Sequence, residues 1–309
     1  MKSKRILLPA FLLFFITSVL ALSLQNPDFS QYSTSQTSPV KPQDTVKFQL
    51  NSPRLYTSDG DGFTIIAHRG ASGYYPENTL PAFEAAIEMG AEMVELDVML
   101  SQDGVPVVFH DETLDRCTNG KGRVTSKTVE ELKKLDAGSW FARKFAGTKI
   151  PTLDEVLELC KGRISVNIEI KSEAVGDSAE GGIEEKCLQL VKKYQMEEHV
   201  IFSSFNYKAI RHINLLAPNI PAAILYNGST SKYKLPSDLI RLYDADAFNC
   251  SGRQLTKKWL ANVKQWGIPV NVYTINKPGR MRELIKLGAD GIFSDKPDLL
   301  AKAAAEVAK

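Results

Sequence analysis

At 309 residues, 43% of them hydrophobic, the chain can bury a large core as one big domain or two modest ones. Its 38 basic residues nearly balance 36 acidic ones, and Lys2, Lys4 and Arg5 all precede the first acid, Asp28. Without residues 1–23 the count becomes 35 basic against 36 acidic, which argues against nucleic acid as a partner.

The three cations lead into an apolar run from Ile6 to Leu24, broken only by Pro9, Thr17, Ser18 and Ser23. Residues 1–24 therefore have the pattern of a signal peptide or N-terminal membrane anchor. Ala21 and Ser23 are small enough for a cleavage site, while the run is about as long as the roughly 20 residues that span a bilayer. Either way the expectation is an exported protein: secreted, periplasmic, or tethered at the outer face of the membrane. Residues 25–62, rich in Gln, Ser, Thr, Pro and Asp, show no apolar period and read as a flexible polar linker.

From Phe63 onward, short β-rich runs alternate with amphipathic stretches. The runs are TIIA, MVELDV continued by VPVVF, ISVNIEI, VIFSS, AAIL, AFNC, VNVYT and GIFS. Helical patterns fall at 79–90, 152–161, 183–195, 206–217, 256–266, 278–287 and 297–308. Eight strands separated by helices predict a parallel sheet with crossovers, and residues 63–309 match the roughly 250 residues of a closed (β/α)8 TIM barrel. An open doubly wound sheet competes, but HRGASG lacks the GxGxxG spacing that usually follows its first strand. Residues 111–151 break the rhythm and read as a small insert after the second strand region, beside the barrel mouth. Cys117, Cys160, Cys187 and Cys250 have no zinc spacing and read as structural, either as one or two disulfides or as buried free thiols.

The chemistry-bearing residues cluster at strand ends: His68-Arg69-Gly70, Glu77-Asn78-Thr79, Glu95 and Asp97, His110-Asp111, and Glu169 with Lys171. Side chains at i and i+2 share one face of a strand, so Glu95 with Asp97 and Glu169 with Lys171 each share a face. This ordered set, together with the insert after His110, resembles the glycerophosphodiester phosphodiesterase family over nearly all of 63–309. The resemblance implies a (β/α)8 barrel that hydrolyses glycerophosphodiesters, deacylated phospholipids, to sn-glycerol 3-phosphate and an alcohol with a divalent cation. It places metal ligands on Glu95, Asp97 and Glu169 and catalytic histidines on His68 and His110. Arg69 and Lys171 match phosphate-facing positions, and Glu77 and Asn78 match the loop shaping the mouth. VNVYTIN departs from the family by carrying Tyr273 where Trp is usual, and SDKP replaces a more usual Thr-Asp opening.

Elementary chemistry points the same way. Three convergent carboxylates repel unless a cation lies between them, and all-oxygen ligation suits Mg²⁺ or Ca²⁺ better than zinc. Three acids set against a divalent ion, Arg69 and Lys171 leave one positive charge for a diester to neutralise. Interior barrel positions are expected to be apolar, which makes charged residues there costly without compensation. Hydrolysis must take a proton from the attacking oxygen and return one to the leaving alkoxide, work for two imidazoles. Ser203, Phe205, Tyr273 and Asn276 follow strands and are candidates for lining the pocket, Tyr273 foremost for substrate contact. His199 and His212 read as surface or structural residues.

Two alternatives stand beside this reading: a lysophospholipase D or sphingomyelinase D-like phosphodiesterase acting on lipids, and a non-catalytic glycerophosphodiester-binding protein. The sequence is silent on oligomeric state.

Overall fold

The computed structural model describes residues 62–309. The expectations for 1–24 and 25–62 lie, Gly62 apart, outside the described residues.

Strands β1 (Thr64–His68) and β2 (Met93–Leu100) flank helix α1 (Leu80–Glu88), and a short strand β3 (Pro106–Val108) follows. The insert carries α2 (Val129–Lys134) and leads to α3 (Leu153–Cys160). Then strand and helix alternate: β4 (Ser165–Ile170), α4 (Ile183–Tyr194), β5 (Val200–Ser204), α5 (Tyr207–Leu216), β6 (Ala222–Leu225) and α6 (Pro236–Tyr243). The series ends with β7 (Ala247–Ser251), α7 (Lys257–Lys264), β8 (Val270–Tyr273), α8 (Pro278–Leu287), β9 (Gly291–Ser294) and α9 (Pro297–Val307).

Every neighbouring pair among β1, β2 and β4 to β9 is parallel, and β1 pairs with both β2 and β9, so the sheet closes into an eight-stranded barrel. The expected fold is present, with two corrections. VPVVF does not continue the second strand; β3 turns back and pairs antiparallel with β2, Val98 opposite Val108. Its reversal returns the chain to the mouth, where the Phe109 N–H donates to the Asp97 carbonyl at 3.0 Å. A second correction adds α6, absent from the helical candidates, which starts at Pro236 and buries Leu239 and Ile240.

The outward strand residues, such as Val94, Leu96, Ile168, Phe202 and Val272, pack under the helices with Phe83, Leu157, Ile210 and Leu284 as the main core. Inside the barrel, Ile66, Met93, Ile201, Ala223, Ala247 and Phe293 form an apolar plug. The interior is less apolar than expected, because Asn167, Ser203, Asn249 and Asn271 are also buried there. They compensate one another: Ser203 Oγ donates to Asn167 Oδ1 at 2.7 Å, and Asn271 Nδ2 donates to Asn249 Oδ1 at 2.9 Å.

At the opposite end from the mouth, an acid just before β2, β7 and β9 caps a neighbouring strand. Glu92, Asp246 and Asp290 accept from the N–H groups of Ile65, Ala222 and Val270 at 2.8, 2.8 and 2.7 Å. Capping boxes at Thr128/Glu131 and Thr152/Glu155 start α2 and α3. The insert has its own small core of Leu114, Cys117, Val124, Leu132, Ala137 and Ile150, joined to Met99, Val107 and Phe109. All four cysteines are free and buried, which removes the disulfide alternative.

Candidate active site

Strand register builds the site. His68 on β1 lies beside Glu95 on β2, and Asp97 lies beside Glu169 on β4. The three carboxylates are buried, and one oxygen from each lies within 4.8 Å of the others. A cation holding oxygens at about 2.3–2.6 Å can have ligands up to about 5 Å apart across it, so one divalent ion reaches all three.

The protonation pattern fits such an ion. Burial and repulsion from Asp97 and Glu169 push Glu95 well above the ordinary carboxylate range. Burial and Asp97 push Glu169 up to about 7. Burial works the same way on Asp97, but Lys171, Arg69 and His110 hold it below its usual value. Protein cations alone thus suffice for one of the three charges, and the donor set fits a further positive charge at its centre.

The cations are placed by these acids. Lys171 Nζ donates to Glu169 Oε1 at 2.9 Å and to Asp97 Oδ1 at 3.2 Å, tying the two strands together. Arg69 donates its backbone N–H to Glu95 Oε2 at 2.9 Å and Nη1 to Glu77 Oε1 at 2.8 Å. Its Nε lies 3.3 Å from Asp97 Oδ2 without hydrogen-bond geometry, a purely coulombic pairing. The HRG turn makes this possible: Arg69 adopts φ 56°, and Gly70, at φ 80°, passes so close to α1 that a Cβ would lie 2.6 Å from the Ala82 carbonyl carbon.

The predicted residues come together, though several act through neighbours. Asn78 is buried, donating Nδ2 to Asp97 Oδ2 at 2.8 Å and accepting the Asp97 N–H at 3.3 Å, so it fixes a carboxylate instead of facing the open cavity. Glu77 bridges Arg69 and Arg116. The Tyr273 hydroxyl donates to the Tyr226 carbonyl at 2.9 Å, leaving its ring as a cavity wall edge-on to Phe205. Asn276 orients Asp295, accepting its N–H at 2.9 Å. His199 is exposed at the end of the short 3-10 helix Glu197–His199, and His212 pairs with buried Glu184 at 2.9 Å, both away from the mouth.

Sequence reasoning quoted Asp111 beside His110 and Asp295 within SDKP but missed that these two carboxylates orient the histidines. His68 Nδ1 lies 2.7 Å from Asp295 Oδ1, and His110 Nδ1 lies 2.6 Å from Asp111 Oδ1. In each pair the ionised carboxylate accepts a hydrogen bond from Nδ1–H, leaving Nε2 for acid or base work. Burial would raise Asp295, but bonds from His68, Asn276 and Ser72 keep it below the ordinary range. Burial lowers His110 despite the attraction of Asp97, favouring its neutral form. The charge sum over three acids, the ion, Arg69 and Lys171 is too narrow, since Glu77, Asp111 and Arg116 form a charged network with Arg69 and Asp295 pairs with His68.

His68, Arg69, Glu95, His110 and Glu169 line one side of a cavity of about 220 Å³. Phe205, Leu225, Tyr273 and Phe293 line the other. Residues 68–299 match the Glycerophosphoryl diester phosphodiesterase family. The chain belongs to that family. A glycerophosphodiester phosphodiesterase of Caldanaerobacter subterraneus is 43% identical over 237 residues, 76% of this chain and 95% of its own. Among solved structures, a glycerophosphodiester phosphodiesterase of Agrobacterium tumefaciens shares 33% identity with a TM-score of 0.69, over 78% of this chain and 99% of that one. A phosphodiesterase of Oleispira antarctica, solved with the product sn-glycerol-3-phosphate, shares 32% identity and a TM-score of 0.69, over 78% and 96%. Like these relatives, this protein is a glycerophosphodiester phosphodiesterase, a phosphoric diester hydrolase with a buried acidic cluster compatible with a divalent metal.

Proposed function

We propose that the protein hydrolyses glycerophosphodiesters to sn-glycerol 3-phosphate and an alcohol, with Mg²⁺ or Ca²⁺ held by Glu95, Asp97 and Glu169 and with His68 and His110 as the acid–base pair. The observation that carries this reading is a cluster of three buried carboxylates, two of which, Glu95 and Glu169, line one cavity together with two carboxylate-oriented imidazoles. The bound ion would polarise a phosphoryl oxygen and stabilise charge developing on it.

Arg69 lines the same wall and supplies a fixed positive charge to the phosphate. In the first step the substrate's glycerol hydroxyl attacks phosphorus, one imidazole takes that hydroxyl's proton, and the other protonates the departing alkoxide. Water then opens the cyclic phosphate with the proton roles exchanged. The apolar wall of Phe205, Leu225 and Tyr273 accommodates a part of the substrate that makes no hydrogen bonds. The N-terminal apolar run supports a location outside the cytoplasm, tested by N-terminal sequencing of the exported protein.

Purified protein assayed with glycerophosphocholine and related diesters, under Mg²⁺, Ca²⁺ or EDTA, tests the reading. Metal-dependent release of sn-glycerol 3-phosphate is expected, and no turnover of any diester under every condition would reject it. An aromatic series on and beside the insert favours a second reading, action on lysophospholipids. Tyr75 and Phe145 lie 5.2 Å apart, Phe145 and Phe141 5.8 Å, and Phe141 and Trp140 5.7 Å. Choline release from lysolipid far above turnover of the deacylated diester would put that reading first.

A further inference from the structure

Arg116 stands on the insert, outside every motif that marks the site, yet its guanidinium bonds to both halves of it. Nε and Nη2 donate to Asp111 at 2.6 and 2.9 Å. Nη1 and Nη2 donate to Glu77 at 2.8 Å each. Asp111 in turn holds His110, and Glu77 holds Arg69. One planar fork therefore spans from an imidazole to the guanidinium beside the metal acids, a geometry that the point charge of a lysine cannot reproduce.

The insert positions the fork. The guanidinium carbon sits 5.9 Å from the centre of the Trp140 ring, and Trp140 Nε1 donates to the Ala137 carbonyl at 2.9 Å. Ala137 belongs to the insert's own core. Without the guanidinium, Glu77 and Asp111 would be two carboxylates with no charge between them. The Arg116 side chain is 45% exposed, while Glu77 is 14% and Asp111 25% exposed, so the fork reaches inward from the surface to two carboxylates that each hold a group of the site. Four bonds from one rigid guanidinium fix the spacing of those two carboxylates.

We propose that Arg116 is a positioning residue for the hydrolysis, clamping Asp111–His110 to Glu77–Arg69 so that imidazole and guanidinium meet the diester at a fixed spacing. The insert is thereby part of the catalytic apparatus. The inference rests on the roles given above to His110 and Arg69.

The test is steady-state turnover of glycerophosphocholine by the full chain at saturating divalent ion. The variants are Arg116→Ala, Arg116→Lys, Asp111→Asn and Arg116→Ala/Asp111→Asn, with His110→Ala as control. Arg116→Ala should lower kcat by roughly 10- to 100-fold while KM changes by less than about threefold. Added methylguanidine should restore part of that kcat saturably, Lys should restore less than the native residue, and the double variant should lose no more than the worse single one. Wild-type turnover by His110→Ala would overturn the catalytic reading itself. If His110→Ala is impaired, two results would overturn the clamp alone. One is a wild-type kcat in Arg116→Ala; the other is a loss matching its drop in folded fraction and unmoved by methylguanidine or Lys.

Discussion

Changing the pH at which the protein meets its cation perturbs the acid cluster most selectively. In the folded, metal-free protein burial and the Asp97 charge push Glu169 up to about 7, from an ordinary 4.5. At about 1.4 kcal/mol per pH unit that shift is worth roughly 3 kcal/mol. A raised acid holds its proton more tightly folded than unfolded, so its ionisation erodes stability as pH climbs from about 4.5 through about 7, and the penalty persists above. The proposed divalent ion would bind the deprotonated carboxylates and remove that penalty. Below about pH 7 binding must therefore expel the proton of Glu169, together with that of Glu95, and apparent affinity should rise roughly ten- to a hundredfold per pH unit. Calorimetric titration with Ca²⁺ or Mg²⁺ in buffers of different ionisation enthalpy counts those protons, and thermal unfolding with and without the ion reads the stability. More protons should be released near about pH 6 than near about pH 9, and Glu169→Gln should lose most of the slope with most of the affinity. A flat affinity with no proton release across that range would refute the reasoning.

Replacing His68 or His110 by Ala should cut turnover about 10²- to 10⁴-fold without unfolding the barrel; unchanged kcat in either would remove that histidine from the acid–base pair. Gly70→Ala sets a Cβ 2.6 Å from Ala82 on a backbone at φ 80°. It should cost about 2–4 kcal/mol and lower Tm by roughly 5–15 °C, and an unchanged melting curve would contradict that close approach. Burial pushes Asp246 up to about 6, so wild-type stability falls as pH rises through that value. Asp246→Asn removes the falling segment and, discounted for the solvent the group still reaches, should be about 1–2 kcal/mol more stable near pH 8 but not near pH 4. Chemical denaturation at the two pH values checks it, and equal destabilisation at both would exclude the ionisation account.

The barrel was legible because each strand is a short apolar run and each helix repeats at 3.6 residues, so local pattern and global topology agree. The same alternation put Glu95 with Asp97, and Glu169 with Lys171, on common faces before any coordinates. The hairpin of β3 was not read, since Val107 and Val108 look like more of the same strand. The signal was present in Asp103-Gly104, where Gly104 takes φ 75° and turns the chain. Asp295 lies 227 residues from the histidine it orients, and only barrel closure makes them neighbours. Arg116 was not singled out, because its partners Glu77 and Asp111 come from different loops. The buried Asn249 and Asn271 were not anticipated inside an apolar interior; their mutual bond depends on the β7–β8 register, which no single strand discloses.

Crystals soaked in Mn²⁺ and measured at its absorption edge give the most direct test of the account. One anomalous peak is predicted, within about 2.0–2.6 Å of oxygens from Glu95, Asp97 and Glu169, with the His68 and His110 rings bordering it. A peak elsewhere, or none at a concentration that supports turnover, would contradict the claim that these strands were built around a single cation.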